Sequence, residues 1–320
     1  MGKTSIEWTR GDDGREGKTW NPLRGCTRES PGCINCYAER TAARFSGPGM
    51  PYAGLAKMTS KGPRWTGRFK FVEEALMAPL RWKKPARVFV NSMSDLFHED
   101  VPDEWIDPIF GVMAMSPHHT FMTLTKRAER MMLWAARDHE RAAAAHCLAS
   151  MYITDPSIGE RWPLTVERAV GVGKRGWPLP NVWMGVSVED RERKSRIDML
   201  RQTPAALRFL SLEPLLEHLG VLDLRGIDWV IVGGESGPNA RPCDIDWIRS
   251  IKFQCRGAHV PVFIKQLGSK PVGVSDRITH RGNTSEMLQG FSRYLNSRKG
   301  GDISEFPDDL RVREFPQERP

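Results

Sequence analysis

The chain has 320 residues, 40% of them hydrophobic and 27% charged, and carries a formal net charge of +8. That supply of apolar side chains suffices for a sizeable core and argues against global disorder, and no apolar run approaches the roughly 18 residues that cross a bilayer, so no membrane partner is expected. The basic excess favours a polyanionic partner, a statement about association and not about fold.

The opening "MGKTSIEWTR" lacks the apolar stretch of a secretory signal, which makes a cytoplasmic location the expectation. "RGCTRESPGCINCYAER" (Arg24–Arg40) then places Cys26, Cys33 and Cys36 within eleven positions, while Cys147, Cys243 and Cys255 are scattered. In a reducing compartment such clustering points to a metal before disulfides. A first strand is expected just before Cys26, and a helix over Tyr37–Phe45 directly after the cluster. Residues 53–87 form an insert rich in cations and aromatics, including "SKGPRWTGRFKF".

From Arg87 the chain repeats one theme: a β-branched or aromatic run, a polar loop, then a helical stretch. "RVFVNS" (Arg87–Ser92) precedes a helix near Pro102–Met115, and "TFMTLT" (Thr120–Thr125) precedes one near Arg127–Asp138. An irregular, charged insert occupies 138–180. "NVWMGVSV" (Asn181–Val188), "LRFLSL" (Leu207–Leu212), "DWVIVGG" (Asp228–Gly234) and "PVFIKQ" (Pro261–Gln266) follow. Between the last two, Asp244–Cys255 reads as a helix capped by Asp244 or Asp246. Near-continuous apolar strands alternating with helices indicate a parallel sheet covered on both faces. About seven such units suit an α/β fold of the partial (β/α) TIM-barrel type, spanning 1–268, with 269–320 as a polar cap or tail.

Each strand ends in polar residues, and in parallel α/β folds these ends gather on one ligand-binding face. The set comprises Ser92, Ser94, Asp95 and His98; Lys126; Ser187 and Glu189; Ser211 and Glu213; Gly233, Gly234 and Glu235; and Lys265 with Gln266. Any one of these is more often a cap or a surface residue, but together they describe one polar pocket. "GGESG" is neither a P-loop nor a complete dinucleotide fingerprint, and it reads as one wall of that pocket.

Three readings of the cysteines stand side by side. A structural zinc takes four ligands, with the fourth from His98, Cys243 or Cys255. Cys33 and Cys36 alone would make a redox pair. An iron–sulfur cluster held by three thiolates leaves one iron open for a ligand, and it suits a loop beside the mouth of a barrel.

That combination resembles the radical S-adenosylmethionine (SAM) superfamily. More closely, "TSIEWT…TWNPLRGCTRESPGCINCYAER", "RVFVNSMSDLFHEDVPDE", "FMTLTKR", "VWMGVSVED", "LRFLSLEPLL", "DWVIVGGESGPNARP" and "FIKQLG", from about Thr4 to Gly268, resemble a radical-SAM-like family common in phages and bacteria. The resemblance implies a [4Fe–4S] cluster on Cys26, Cys33 and Cys36, with SAM chelating the open iron. The first cysteine gap here is six residues where the superfamily usually has three, and Asn35 stands where an aromatic commonly precedes the last cysteine.

By the same resemblance, SAM is cleaved reductively to methionine and a 5′-deoxyadenosyl radical that abstracts hydrogen from an unactivated carbon. The electron comes from an external one-electron reductant such as a flavodoxin or ferredoxin. Ser92, Ser94 and Asp95 would receive the SAM amino group, and Ser187, Glu189, Ser211 and Glu213 the ribose hydroxyls, with Gly233 and Gly234 beside them. Lys126, Glu235, Lys265 and Gln266 would face the substrate, with His98 as an acid/base. If the chain is phage-encoded, its location is the host cytoplasm.

The insert sets Arg64, Arg68, Lys83 and Lys84 among Trp65, Phe69, Phe71 and Trp82. Cations track phosphates and aromatics can stack on bases. The superfamily that the chain resembles includes a lyase that repairs a thymine photoproduct. This resemblance implies a nucleobase or nucleoside in nucleic acid as the substrate, undergoing modification, rearrangement or repair. The plain alternative for the insert is a solvated basic flap whose aromatics pack on the barrel. For the whole chain the alternatives are radical chemistry on a small metabolite or peptide, and a zinc-stabilised nucleic-acid-binding module without catalysis.

Overall fold

The computed structural model describes residues 4–10, 15–137, 177–273 and 295–317. Seven strands form one sheet: β1 (Glu16–Trp20), β2 (Ala86–Val90), β3 (Thr120–Thr125), β4 (Val182–Ser187), β5 (Leu207–Leu212), β6 (Trp229–Gly233) and β7 (Val262–Gln266). Spatial order equals chain order and every neighbour is parallel. The result is a curled half-barrel. Among the described residues, five helices of at least eight residues accompany it: α1 (Tyr37–Arg44), α2 (Asp103–Met115), α3 (Ala128–Ala135), α4 (Ser195–Gln202) and α5 (Ile245–Gly257). Asp244 caps α5 by accepting the Asp246 backbone N–H at 2.9 Å, as its position predicts.

The apolar runs of β2 to β7 form strands because both of their faces are buried. Alternation along each strand sends one set outward and one inward. Val88, Val90, Met184, Val186, Leu210, Leu212, Val230 and Val232 pack outward under the helices. Phe89, Met122, Trp183, Phe209, Trp229, Ile231 and Phe263 fill the inside. Gly185 makes room there, since a Cβ on it would lie 2.4 Å from the Phe209 ring.

The first strand differs from expectation. Glu16–Trp20 is the sheet strand, whereas the segment just before Cys26 is a two-residue strand, Leu23–Arg24, paired antiparallel with Lys70–Phe71. "EGKTW" carries no apolar run because β1 is an edge strand, parallel to β2 alone. The insert at 138–180 falls almost entirely outside the described residues, as does Cys147.

A half-barrel leaves an open side, and segments far apart in sequence close it. Trp8, in the turn Glu7–Thr9, packs against Phe89 at a centroid distance of 4.8 Å and against Phe209 and Trp229 at 6.4 Å. Residues 312–314 line the free edge of β7: the Ile264 N–H donates to Val312 O at 3.0 Å, and the Glu314 N–H to Val262 O at 3.0 Å. Phe315 then sits 5.3 Å from Phe263 and 5.8 Å from Trp229. The polar segment after Gly268 is thus docked on the barrel in its final stretch.

At the N-terminal end of β3, buried His119 places its Nε2 3.2 Å from the Pro79 carbonyl, while Nδ1 has no partner. Burial, with His118 beside it, lowers its pKa from 6.5 to about 4. Above pH 6.5 the ring is neutral folded or unfolded and contributes no pH dependence. Between pH 6.5 and 4 the unfolded chain takes up a proton that the folded protein refuses, so stability should fall by about 3 kcal/mol. Urea midpoints across that range should show the decline, and His119→Gln should flatten it.

Candidate metal centre and the pocket beneath it

Above the inner aromatic layer, the same inward-facing positions turn polar. Ser187 follows Gly185, Ser211 follows Phe209, Gly233 follows Ile231 and Lys265 follows Phe263, each two residues on. Ser187 and Ser211 are register partners on β4 and β5. Ser211 Oγ lies 3.3 Å from Glu213 Oε2, and Lys265 Nζ lies 2.9 Å from Glu213 Oε1. This layer sits at the C-terminal ends of the strands, as the polar strand ends predict.

The cysteine loop lies across that mouth. Gly25 bridges to Ser94 beyond β2, Cys33 closes the turn Pro31–Cys33, and Cys36 is the residue before α1. Gly25 adopts φ +105°, and a Cβ on it would lie 2.2 Å from the Arg68 carbonyl oxygen, so only glycine fits. All three cysteines are free, half-buried thiols. Burial and the nearby Asp95 carboxylate push the Cys26 thiol far above its usual range, and burial raises Cys36 as well. Both are therefore protonated near neutrality until a cation displaces the proton.

Two buried carboxylates fasten this loop. Glu189, after β4, is fully buried and accepts from Ser30 Oγ at 2.7 Å and Arg196 Nη1 at 2.9 Å, and it pairs with Lys126 Nζ. Burial pushes the Glu189 carboxyl up, but Lys126, Ser30 and Arg196 outweigh it and hold the group ionised below its ordinary range. Gly32 lies so close that a Cβ there would meet Glu189 Oε1 at 2.4 Å. Glu235, after β6, accepts from Arg241 Nη2 at 2.6 Å and Nε at 2.9 Å, and from Asn35 Nδ2 at 2.9 Å. Arg241 Nη1 also donates to Pro31 O at 2.9 Å. Asn35, odd by the superfamily pattern, is here the residue that ties the last cysteine's neighbourhood to the far side of the mouth.

Asp95 is committed to the protein too. Its oxygens accept from Thr125 Oγ1 at 2.6 Å, the Phe97 and Lys126 N–H groups at 3.1 Å, and Arg127 Nη1 at 3.1 Å. Arg127 also donates to Thr27 Oγ1 at 2.9 Å, next to Cys26, and to Glu99 at 3.0 Å. His98 is buried under Phe69, with a centroid distance of 4.4 Å. Its Nδ1 accepts the Asp100 N–H at 3.1 Å and its Nε2 lies 2.5 Å from Thr27 Oγ1. Burial and Arg127 lower its pKa, so the ring stays neutral. Ser92 Oγ donates to Asn21 Oδ1 at 3.2 Å and Ser94 Oγ to Leu23 O at 2.9 Å.

Gly233 and Gly234 serve close packing. A Cβ on Gly234 would lie 2.4 Å from Leu267 O, and one on Gly233 3.0 Å from Gln266 Cγ. Gln266 itself is buried and donates to Gly234 O at 2.7 Å. Arg196, Arg241 and Ser30 are site residues that sequence reasoning missed, and Arg127 entered it without a role, as the last residue of "FMTLTKR".

Among the described residues, no three His, Cys, Asp or Glu side chains converge as a single metal ion requires. Cys255 lies on the buried face of α5 and Cys243 in the same outer core, and both nitrogens of His98 are engaged by Thr27 and the Asp100 N–H. An iron–sulfur cluster binds each thiolate to a different iron and accepts ligands standing farther apart. The donor set of three soft sulfurs in one pinned loop fits that group.

A family model described as a protein of unknown function (DUF5131) matches residues 3–293. The chain belongs to the DUF5131 family. No curated protein and no solved structure matches it. In this DUF5131 chain no helix among the described residues is long and apolar enough to cross a membrane.

The nucleic-acid residues fall into two groups. Arg64 and Arg68 lie beside the cysteine loop, on or just after the hairpin Ala56–Thr59/Gly62–Trp65. Lys83 and Lys84 are exposed but precede β2 at its N-terminal end, a strand's length from the mouth. Several aromatics of the insert pack on the barrel: Phe69 on His98, Phe71 on Trp105 at 5.6 Å, and Trp82 against the core under Lys18.

Proposed function

We propose that this chain is a radical SAM enzyme acting on a nucleobase or nucleoside in nucleic acid. One observation carries the reading: Cys26, Cys33 and Cys36 sit in one loop that two buried carboxylates fasten over a polar layer at the mouth of a parallel half-barrel. Cys26, Cys33 and Cys36 would hold a [4Fe–4S] cluster, which when bound would supply one-electron reductive cleavage of SAM and hydrogen abstraction by the resulting radical.

The chain's own groups bind and position. Ser187, Ser211 and Glu213 offer hydroxyl and carboxylate partners for ribose hydroxyls. Ser92 and Ser94 retain lone pairs for an ammonium. Lys265, half-buried and balanced by Glu213, faces the substrate side. Lys126 and Arg196 neutralise Glu189 and so keep the cysteine loop seated, and the aromatic floor excludes water from below. An external one-electron reductant completes the scheme.

Anaerobic reconstitution with iron and sulfide, followed by dithionite and SAM, tests the proposal. Brown protein that forms 5′-deoxyadenosine is the expected result. Colourless protein that retains zinc and binds nucleic acid would replace it with a non-catalytic binding module.

A further inference from the structure

From Arg40 to Val72 the chain carries seven cations and no carboxylate. This stretch builds a small lobe against the cysteine loop. Its hairpin packs on α1, the Trp65 N–H donates to buried Glu39 at 2.9 Å, and Arg28 clasps the same carboxylate. With Glu39 paired inside, the lobe's surface is left uniformly basic. The face of α1 opposite Ala38, Glu39 and Ala42 presents Tyr37, Arg40 and Arg44, three and four residues apart and therefore in one stripe. Five of the eight large apolar side chains exposed among the described residues also fall here: Ile34, Tyr37, Phe45, Met50 and Met58. The Arg44 guanidinium lies 5.5 Å over the Phe45 ring.

We infer that this lobe, and not the Lys83–Lys84 end, is a docking surface for single-stranded nucleic acid running past the cysteine loop. Cations spread along the lobe match a periodic polyanion better than a folded acidic protein. Exposed rings between them offer faces for unpaired bases, which a duplex does not present. Chemistry on a base also requires it outside the stack. The inference names the substrate class of the reaction proposed above and rests on that reading for its purpose, but binding is measurable without a cluster.

The test is fluorescence anisotropy with a labelled single-stranded oligonucleotide, a duplex of the same sequence and polyglutamate, across a salt series. A strand engaging about four cations should give a slope of log affinity against log salt near −3. The combined variant Arg44→Ala, Lys57→Ala, Lys61→Ala, Arg68→Ala should remove most of that slope and weaken binding at least about tenfold. Phe45→Ala should weaken binding about fivefold with the slope unchanged, and Lys83→Ala with Lys84→Ala should change neither. Absent binding, an unaffected lobe variant, equal affinity for the duplex, or equal affinity for polyglutamate each overturns the inference. Binding by the unaltered protein that, after reconstitution with iron and sulfide, makes no 5′-deoxyadenosine sustains the surface while the catalytic reading falls.

Discussion

Replacing Cys26, Cys33 or Cys36 singly by alanine should leave a colourless protein whose iron and sulfide content, and whose 5′-deoxyadenosine formation, drop to background. The three thiols share one loop, so none substitutes for another. Cys255→Ala is the matched control. Cys255 lies fully buried on the inner face of α5, away from the mouth, and its loss should cost about 1 kcal/mol of packing while leaving iron content intact. Metal and acid-labile sulfide assays decide the outcome, and a Cys36→Ala protein that still holds a full complement of iron and sulfide would end the cluster reading.

The second large effect is expected at Glu189. Glu189→Ala leaves Lys126 and Arg196 facing one another without their shared anion, in a fully buried position, which should destabilise the fold by about 3–5 kcal/mol. Glu189→Gln keeps the shape and an acceptor for Ser30, and should cost less. Both should speed alkylation of Cys33 and Cys36 in the metal-free protein, because the loop loses its anchor at Ser30. Gly32→Ala should mimic the loop effect with the charges intact, since its Cβ would displace the Glu189 carboxylate. The sign with pH follows from a carboxyl held below its ordinary value: the contribution is present above about pH 4.5 and is lost as pH falls through the lower folded value. Chemical denaturation at pH 7 and pH 4, with thiol labelling read by mass, checks all three variants.

Much of the frame was legible in the chain. Apolar runs placed β2 to β7 to within about two residues, Thr120–Thr125 and Leu207–Leu212 among them without error, and polar residues at the strand ends marked the mouth. These are local signals. What was not legible depends on partners remote in sequence: Asn35 meets Glu235 across 200 positions, and Lys126 meets Glu189 across 63. A strand-end carboxylate reads the same whether it awaits a ligand or a loop, and only the three-dimensional partner separates the two. For the same reason Asp95, expected to receive the cofactor's amino group, turns out to join β3 to Arg127. The edge strand Glu16–Trp20 lacked the apolar run by which its neighbours were recognised, and Lys83 and Lys84 were grouped with Arg64 by proximity in sequence, which the reversal of chain direction through the insert undoes.

The half-barrel's missing staves have a consequence for biosynthesis. Trp8 and Phe315 stop the same gap although roughly 300 positions separate them in the chain. The aromatic interior therefore cannot seal until Phe315 has been made, and Cys36 leaves the exit tunnel long before the wall behind it is whole. Any cofactor delivered to those thiols is best received once Trp8 and Phe315 have met on Trp229.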